Sequence, residues 1–157
     1  MHESGSILLH GTRALDGILF LSQRDLPSRR MPMNRALVVL LVEDDPDHME
    51  IFAAYLRHNG VEVVSTRSVD EGLRLAAERQ PDVVVTGLDF GGQPRGLGLV
   101  RELRDTLATR RIPVLVHTAF ADVWDRELRA LNVPVVAKGQ PPATLLAAIR
   151  EALPILP

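Results

Sequence analysis

Several residue types are absent or scarce in this chain of 157 residues, and each scarcity narrows the possible functions. Cysteine is absent, which excludes disulfides, thiolate nucleophiles and cysteine-ligated metals. Aromatic residues make up 4% of the chain, so the core must be built from aliphatic side chains. Lysine occurs once, as Lys138, although lysine and arginine together number 18. Every other cationic position is therefore arginine.

An excess of charge of one sign and long apolar runs are also missing. The 18 basic residues are opposed by 20 acidic residues, and the formal net charge is -2. A near-neutral chain has no overall field to hold a nucleic-acid backbone or an anionic membrane, so we expect neither partner. The longest apolar stretch near the N-terminus, residues 18–21, is too short for a transmembrane helix or a signal peptide. With no disulfides, this predicts a cytoplasmic protein.

Residues 1–33 lack the pattern of the rest of the chain. Two weak apolar clusters precede a segment rich in proline and arginine. We expect a disordered N-terminal extension, or a start site placed too far upstream, with Met31 or Met33 as the true beginning. A docking helix is the alternative. The folded domain is predicted to span residues 34–154.

From Arg35 onward, short apolar runs alternate with longer segments of helical spacing. Each run is rich in valine and lacks apolar/polar alternation, which is typical of strands buried on both faces of a parallel sheet. Five strand–helix units joined by right-handed crossovers predict an α/β fold with a doubly wound, five-stranded parallel sheet. The five runs are residues 36–42, 61–65, 82–86, 113–117 and 133–137.

The segments between the runs carry helix signals. Asp45 followed by Pro46 is typical of an N-cap with proline in the first turn, and Ser68 and Glu71 have the spacing of a capping box. A fifth helix is predicted from about residue 143 to residue 153. The inward-facing residues of the third and fourth helices are predicted to be Leu99, Val100, Leu103 and Leu107, and Trp124, Leu128 and Leu131, respectively.

Polar residues follow several of the predicted strands. Glu43 and Asp44 come after the first run, Thr118 after the fourth and Lys138 after the fifth. In doubly wound sheets the chemistry lies at the carboxyl ends of the strands. Two adjacent carboxylates, a hydroxyl and an ammonium group suit a hard divalent cation together with a phosphoryl group.

Residues 41–46, residues 112–119 and Lys138 together resemble the motifs of response-regulator receiver domains of bacterial two-component signalling, and the resemblance extends from residue 35 to residue 153. It implies the flavodoxin-like (βα)5 fold of that family. It also implies that Glu43 and Asp44 occupy the Mg²⁺-binding positions and that Thr118 and Lys138 occupy the positions that contact the phosphoryl oxygens.

The third strand departs from the family pattern. Its motif begins at Pro81, and the position of the phosphoacceptor aspartate holds Gly87. Asp89 lies two residues further, a displacement of roughly 6 to 7 Å along an extended chain, so we interpret it as a surface carboxylate rather than a substitute acceptor. Gly139 stands where the family usually has proline, and Val135 where it has an aromatic residue. These departures predict that acyl-phosphate chemistry has been lost.

Loss of the third carboxylate changes what we expect of the neighbouring side chains. Mg²⁺ binding at Glu43 and Asp44 is expected to be weak or lost, and no other cofactor is expected. Asp44 is then predicted to pair with Lys138, and Thr118, a remnant of the phosphoryl pocket, to hydrogen-bond loop backbone. Asp45 and Asp47 are predicted to cap the first helix, and His117 to be structural.

The leading hypothesis is a single-domain, degenerate receiver of phosphorelay ancestry that is not an enzyme and signals by protein–protein contact. Its partner is expected to be a histidine kinase, another regulator, an output protein or a second copy, bound through the fourth helix, fifth strand and fifth helix. Trp124 is a candidate anchor on that face, although core packing is its simpler role.

Two alternatives stay open. In one, Asp89 is a working phosphoacceptor that uses Mg²⁺ and has weak autophosphatase activity. In the other, the chain is a flavodoxin-like binder of a small ligand, with Gly87, Gly91 and Gly92 making room for it.

Overall fold

The computed structural model describes residues 35–155, so the predictions for residues 1–33 lie outside the described residues. Strands and helices alternate strictly along this part of the chain. No helix within it is long and apolar enough to cross a membrane. In chain order the elements are β1 (Val38–Val42), α1 (Pro46–His58), β2 (Glu62–Thr66), α2 (Val69–Arg79), β3 (Val83–Thr86), α3 (Arg95–Asp105), β4 (Val114–Thr118), α4 (Asp125–Leu131), β5 (Val135–Ala137) and α5 (Pro142–Ala152).

The five strands form one parallel sheet in the order β2-β1-β3-β4-β5. The chain first moves outward from β1 to β2 and then returns to β3 on the other side of β1. The strand order therefore reverses next to β1, and a crevice opens there beyond the carboxyl ends of the strands. This topology confirms the predicted doubly wound, five-stranded sheet.

Helices cover both faces of the sheet because successive strand residues point to opposite sides. Val39 and Leu41 of β1 pack in a cluster with residues of α1 and α5. Leu40 and Val42 pack in a second cluster with residues of α2, α3 and α4. Apart from Phe52 and Phe90, the buried members of the two clusters are aliphatic, as the scarcity of aromatic residues predicts.

The first two helices begin at the predicted caps, but the second cap differs in detail. The Asp45 carboxylate accepts hydrogen bonds from the backbone N–H groups of Asp47 and His48, at 2.9 and 3.0 Å. Asp47 itself lies in the first turn. Ser68 Oγ accepts from Glu71 N at 3.3 Å, whereas the Glu71 carboxylate accepts from the Thr66 hydroxyl. Since Thr66 Oγ1 accepts from Ser68 N, a third residue completes the capping box.

Two predictions for the third and fourth helices are wrong. Helix α3 ends at Asp105, because Thr106 adopts extended backbone and donates its hydroxyl to Glu102 O at 2.7 Å. Leu107 is therefore 75% exposed instead of facing the core. Trp124 immediately precedes α4 rather than lying within it, and its half-buried ring packs against the cluster on the α2–α4 face.

Candidate functional site

A cleft of about 340 Å³ opens at the carboxyl edge of the sheet. The ends of β1, β3, β4 and β5 supply its polar lining, because parallel strands bring their carboxyl ends to the same edge. The predicted site residues Asp44, Thr118 and Lys138 all line it. The other charged or titratable side chains of the lining are Asp45, His48 and Asp89.

Lys138, which lines this cleft, forms a buried ion pair with Glu43. Lys138 Nζ lies 2.7 Å from Glu43 Oε2, and the two side chains are 15% and 3% exposed. Glu43 Oε1 also accepts a hydrogen bond from Asp45 N at 3.1 Å. The prediction that Asp44 pairs with Lys138 is therefore wrong. Because side chains alternate between the two faces of a strand, Glu43 points to the same face as Leu41, which α1 and α5 cover. Lys138 points to that face as well, like Val136. Asp44 points to the opposite face.

Gly87, directly after β3, is buried against this ion pair. A Cβ added there would lie 3.4 Å from Glu43 Oε2, and its other near neighbours would be atoms of the same carboxylate. Gly96 of α3 packs against the backbone that follows β3, and its N–H donates to Leu88 O at 3.0 Å. A Cβ on Gly96 would lie 2.1 Å from Gly87 O. This close approach requires glycine and keeps α3 tight against the end of β3.

A turn with two central residues follows β3, and its backbone N–H groups donate to the carboxylates of Asp44 and Asp89. Phe90 N donates to Gln93 O at 2.8 Å, and Gly91 and Gly92 between them have φ of +66° and +80°. Positive φ at both central residues explains why both are glycine. Gly92 N donates to Asp89 Oδ1 at 2.8 Å and Gly91 N to Asp44 Oδ2 at 3.4 Å.

Thr118 and His117, at the end of β4, point to opposite faces of the sheet. The Thr118 hydroxyl accepts from Phe120 N at 2.9 Å and so holds the loop that follows β4. His117 is 2% exposed, and its ring packs edge-on against Phe52 with centroids 4.4 Å apart. Burial lowers the pKa of His117 to about 4, helped by the positive charges of Lys138 and His48. A neutral histidine in this position fits the predicted structural role.

Residues 39–150 match the family model of the response regulator receiver domain, which is more than half of the chain. The chain belongs to this family. It is 36% identical over 89 residues to the polar-differentiation response regulator DivK of Brucella ovis, a span of 57% of this chain and 72% of that relative. The family assignment agrees with the motifs at the ends of β1, β4 and β5.

Solved structures of receiver domains have the same fold. Chemotaxis response regulator CheY4 of Vibrio cholerae superimposes with a TM-score of 0.67 at 22% identity, over 76% of this chain and all of that chain. The receiver domain of a sensor histidine kinase from Pseudomonas aeruginosa gives a TM-score of 0.67 at 26% identity, over 74% of this chain and 97% of that chain. That Pseudomonas structure holds a magnesium ion in its active-site cleft.

The cleft of this receiver domain, as arranged, does not fit a divalent cation. Within residues 35–155, no group of three or more acidic or histidine side chains is placed to hold a metal ion. Mg²⁺ requires several oxygens at about 2.0 to 2.1 Å in octahedral geometry. Here Glu43 is held by Lys138, and Asp44 and Asp89 accept from backbone N–H groups.

Apolar side chains are exposed on the adjoining surface of the receiver domain, which we call the α4–β5 surface. Phe120 and Val123, in the loop before α4, are 48% and 69% exposed, and Val135 of β5 is 37% exposed. A groove of about 270 Å³ between α4 and β5 lies beside them. Its lining includes Asp125 and Arg129, which neutralise each other at 2.8 Å.

Sequence reasoning missed parts of both regions. Among the residues of this surface it singled out only Trp124 and Val135, although Phe120 and Val123 stand outside any helical or strand periodicity, which is a recognisable signal. The close approach of Gly96, in α3, to the backbone of Gly87 is not predicted from the sequence. Gly91 and Gly92, expected to make room for a ligand, form the exposed turn instead.

Proposed function

We propose that this receiver domain signals by protein–protein contact without aspartyl phosphorylation, as a degenerate member of its family. The observation that carries the proposal is Gly87 at the end of β3, which offers no nucleophile at the position of the acceptor aspartate. The buried ion pair beside it supports the same conclusion, because Lys138 already has an anionic partner within the chain. The absence of cysteine agrees with the cytoplasmic location that we propose.

Intact-mass measurement after incubation with acetyl phosphate and Mg²⁺ tests the loss of phosphorylation. We expect no gain of a phosphoryl group, while a receiver domain that keeps its acceptor aspartate is modified in the same buffer. An adduct on the wild-type protein that persists in Asp89→Asn would contradict the proposal and direct attention to another side chain. Stabilisation by a small metabolite, with no adduct, would favour the ligand-binding alternative.

Asp89 is the second candidate, because it lines the same cleft as Thr118 and Lys138. In this alternative an Asp89 carboxylate oxygen attacks the phosphorus of acetyl phosphate, acetate leaves, and water later releases inorganic phosphate. The hydrogen bond from Gly92 N to Asp89 Oδ1 opposes it, since the attacking group is held by the turn. An adduct that disappears in Asp89→Asn would establish this alternative and overturn the first.

We propose that the partner binds the α4–β5 surface together with α5. Exposed apolar side chains beside a groove are typical of interaction sites, and tryptophan is enriched at the centres of interfaces. The partner classes are those of the family: a histidine kinase, another regulator, an output protein or a second copy of this chain.

Affinity capture from the source cell, compared between wild type, Trp124→Ala and Val123→Ser, tests this surface. Ile51→Ser is the matched control, because Ile51 is an exposed apolar residue on α1, away from the α4–β5 surface. We expect capture of a defined partner to fall in the first two variants and to persist in the control. The reverse pattern would place the interface on α1. Sedimentation of the pure protein separates self-association from binding to another chain.

A further inference from the structure

The Glu43–Lys138 ion pair spans strands that are not neighbours in the sheet. Glu43 is the first residue after β1, and Lys138 is the first residue after β5. Strands β3 and β4 lie between β1 and β5, yet the two charged atoms are 2.7 Å apart. The pair therefore runs across the carboxyl edge of the sheet and connects the inner strand β1 to the edge strand β5.

Gly87 lies beneath this connection. The atoms nearest to an added Cβ at Gly87 all belong to the Glu43 carboxylate, at 3.4 to 3.8 Å. An added Cβ would be in ordinary van der Waals contact with this carboxylate, so residue 87 lies directly beside the ion pair. With glycine at this position, the neighbour of the carboxylate is Lys138, whose backbone N–H donates to Thr118 O at 3.1 Å.

The other carboxylates at the cleft also have partners within the chain. Asp45 caps α1, Asp44 accepts from Gly91 N, and Asp89 accepts from Gly92 N. In a cation site these oxygens would converge on the ion and leave such donors. The charge of the deepest carboxylate, Glu43, is instead neutralised by the only lysine of the chain.

We propose that the Glu43–Lys138 pair is a permanent internal substitute for a divalent cation: it holds the ends of β1 and β5 together across Gly87, and the cleft neither requires nor binds Mg²⁺ while the pair is intact. The inference deepens the proposed function and rests on it, since a cleft that accepts no phosphoryl group has no need of Mg²⁺.

Because lysine occurs once, Lys138 reports on the pair in the unaltered protein. The wild type is treated with an acetylating reagent, and modification of Lys138 is followed by peptide mass mapping. We expect labelling to be roughly tenfold or more slower than in urea-unfolded protein, because the amine is buried and paired. Millimolar Mg²⁺ should leave this rate unchanged. Glu43→Gln, which removes the anion and keeps the shape, should accelerate labelling severalfold.

Acceleration of Lys138 labelling by Mg²⁺ in the wild type would overturn the inference, because it would mean that the cation displaces lysine from Glu43. Labelling as fast as in urea would overturn it as well. Both outcomes are read on the wild-type chain, so they stand even if Glu43→Gln fails to fold.

A thermal-unfolding series tests the substitution for a cation directly. Lys138→Met leaves the buried Glu43 charge without a counter-charge, so we expect a large fall in Tm that millimolar Mg²⁺ partly restores. Lys138→Met combined with Glu43→Gln removes both charges and should not respond to Mg²⁺. A Lys138→Met protein as insensitive to Mg²⁺ as the wild type would contradict the inference.

These experiments contain no phosphodonor and are separable from the test of the proposed function. A phosphoryl adduct with Mg²⁺-insensitive labelling of Lys138 would overturn the proposed function alone. Mg²⁺-accelerated labelling without any adduct would overturn this inference alone.

Discussion

At the carboxyl edge of the sheet, Glu43 and Lys138 are buried against each other, and the neighbouring carboxylates accept hydrogen bonds from the chain. On the α4–β5 surface, Phe120 and Val123 present apolar side chains to solvent. A buried polar group without a partner is costly, and the carboxylates and the lysine of the cleft each have a partner within the chain. Exposed apolar surface gains free energy only when something covers it. The comparison supports the proposal that a partner binds the surface rather than the cleft.

Substitution of Gly96, where α3 packs closely against the end of β3, has the largest expected effect on the free energy of unfolding. Gly96→Ala places a Cβ 2.1 Å from Gly87 O and 2.7 Å from Leu88 Cα, so α3 must move away from β3. We expect a loss of about 3 kcal/mol or more in the free energy of unfolding, measured by urea denaturation.

Gly98→Ala is the matched control for Gly96→Ala. Gly98 also lies in α3, but an added Cβ there meets nothing within 4 Å. Alanine should stabilise the helix by about 0.5 to 1 kcal/mol relative to glycine. Equal effects of the two substitutions would show that the close approach at Gly96 does not support the cleft.

His117, the neighbour of the cleft residue Thr118, makes the stability of the fold at this edge of the sheet dependent on pH. Its pKa falls from 6.5 to about 4 on folding because of burial. The unfolded chain therefore binds a proton below about pH 6.5 while the folded protein does not, and stability falls as the pH drops toward the folded pKa. The loss reaches about 3 kcal/mol near pH 4.

Unfolding of the wild type and of His117→Leu over this pH range measures the contribution of the histidine. Leucine does not titrate, so the stability of the variant relative to wild type should rise as the pH falls from 6.5 to about 4. A constant difference across the range would mean that His117 titrates normally in the folded protein.

The N-cap at the mouth of the cleft gives a smaller effect. Asp45→Ala removes the acceptor for two N–H groups of α1, and Tm at neutral pH should fall by a few degrees. The hydrogen bond from His48 N, followed by that from Asp47 N, lowers the pKa of Asp45 below 3.8. The benefit is therefore present above about pH 3.8 and lost as the pH falls through the lowered pKa. Asp45→Asn, which still accepts a hydrogen bond, should retain most of the wild-type Tm.

The smallest effect is expected on the α4–β5 surface. Val123→Ser changes an exposed side chain, so we expect the free energy of unfolding to stay within about 0.5 kcal/mol of wild type. Chemical denaturation of this variant shows whether its loss of partner capture is a binding effect. Substantial destabilisation would mean that Val123 supports the fold and would remove the contrast with the cleft.

Much of the fold could be predicted because its signals are local. Valine-rich runs and the Asp45-Pro46 cap each depend on a few consecutive residues, and the strand bounds differ from the predicted ones by a few residues at most. The position of Lys138 at the cleft also followed from sequence, since strand ends share one edge. The choice of Glu43 over Asp44 as its partner did not, because it depends on which face each side chain takes beyond the end of its strand.

The sequence by itself determined the order of strands and helices, the family, and the glycine at the end of β3, because each is written in neighbouring residues. Only the tertiary structure decided that Lys138 meets Glu43 across two intervening strands, that Gly96 lies against Gly87, and that Phe120 and Val123 remain exposed. The ion pair joins residues far apart in the chain, and the other two features depend on how α3 and the loop before α4 pack against the sheet. Their geometry depends on how the sheet aligns its strand ends and on how closely the helices approach them.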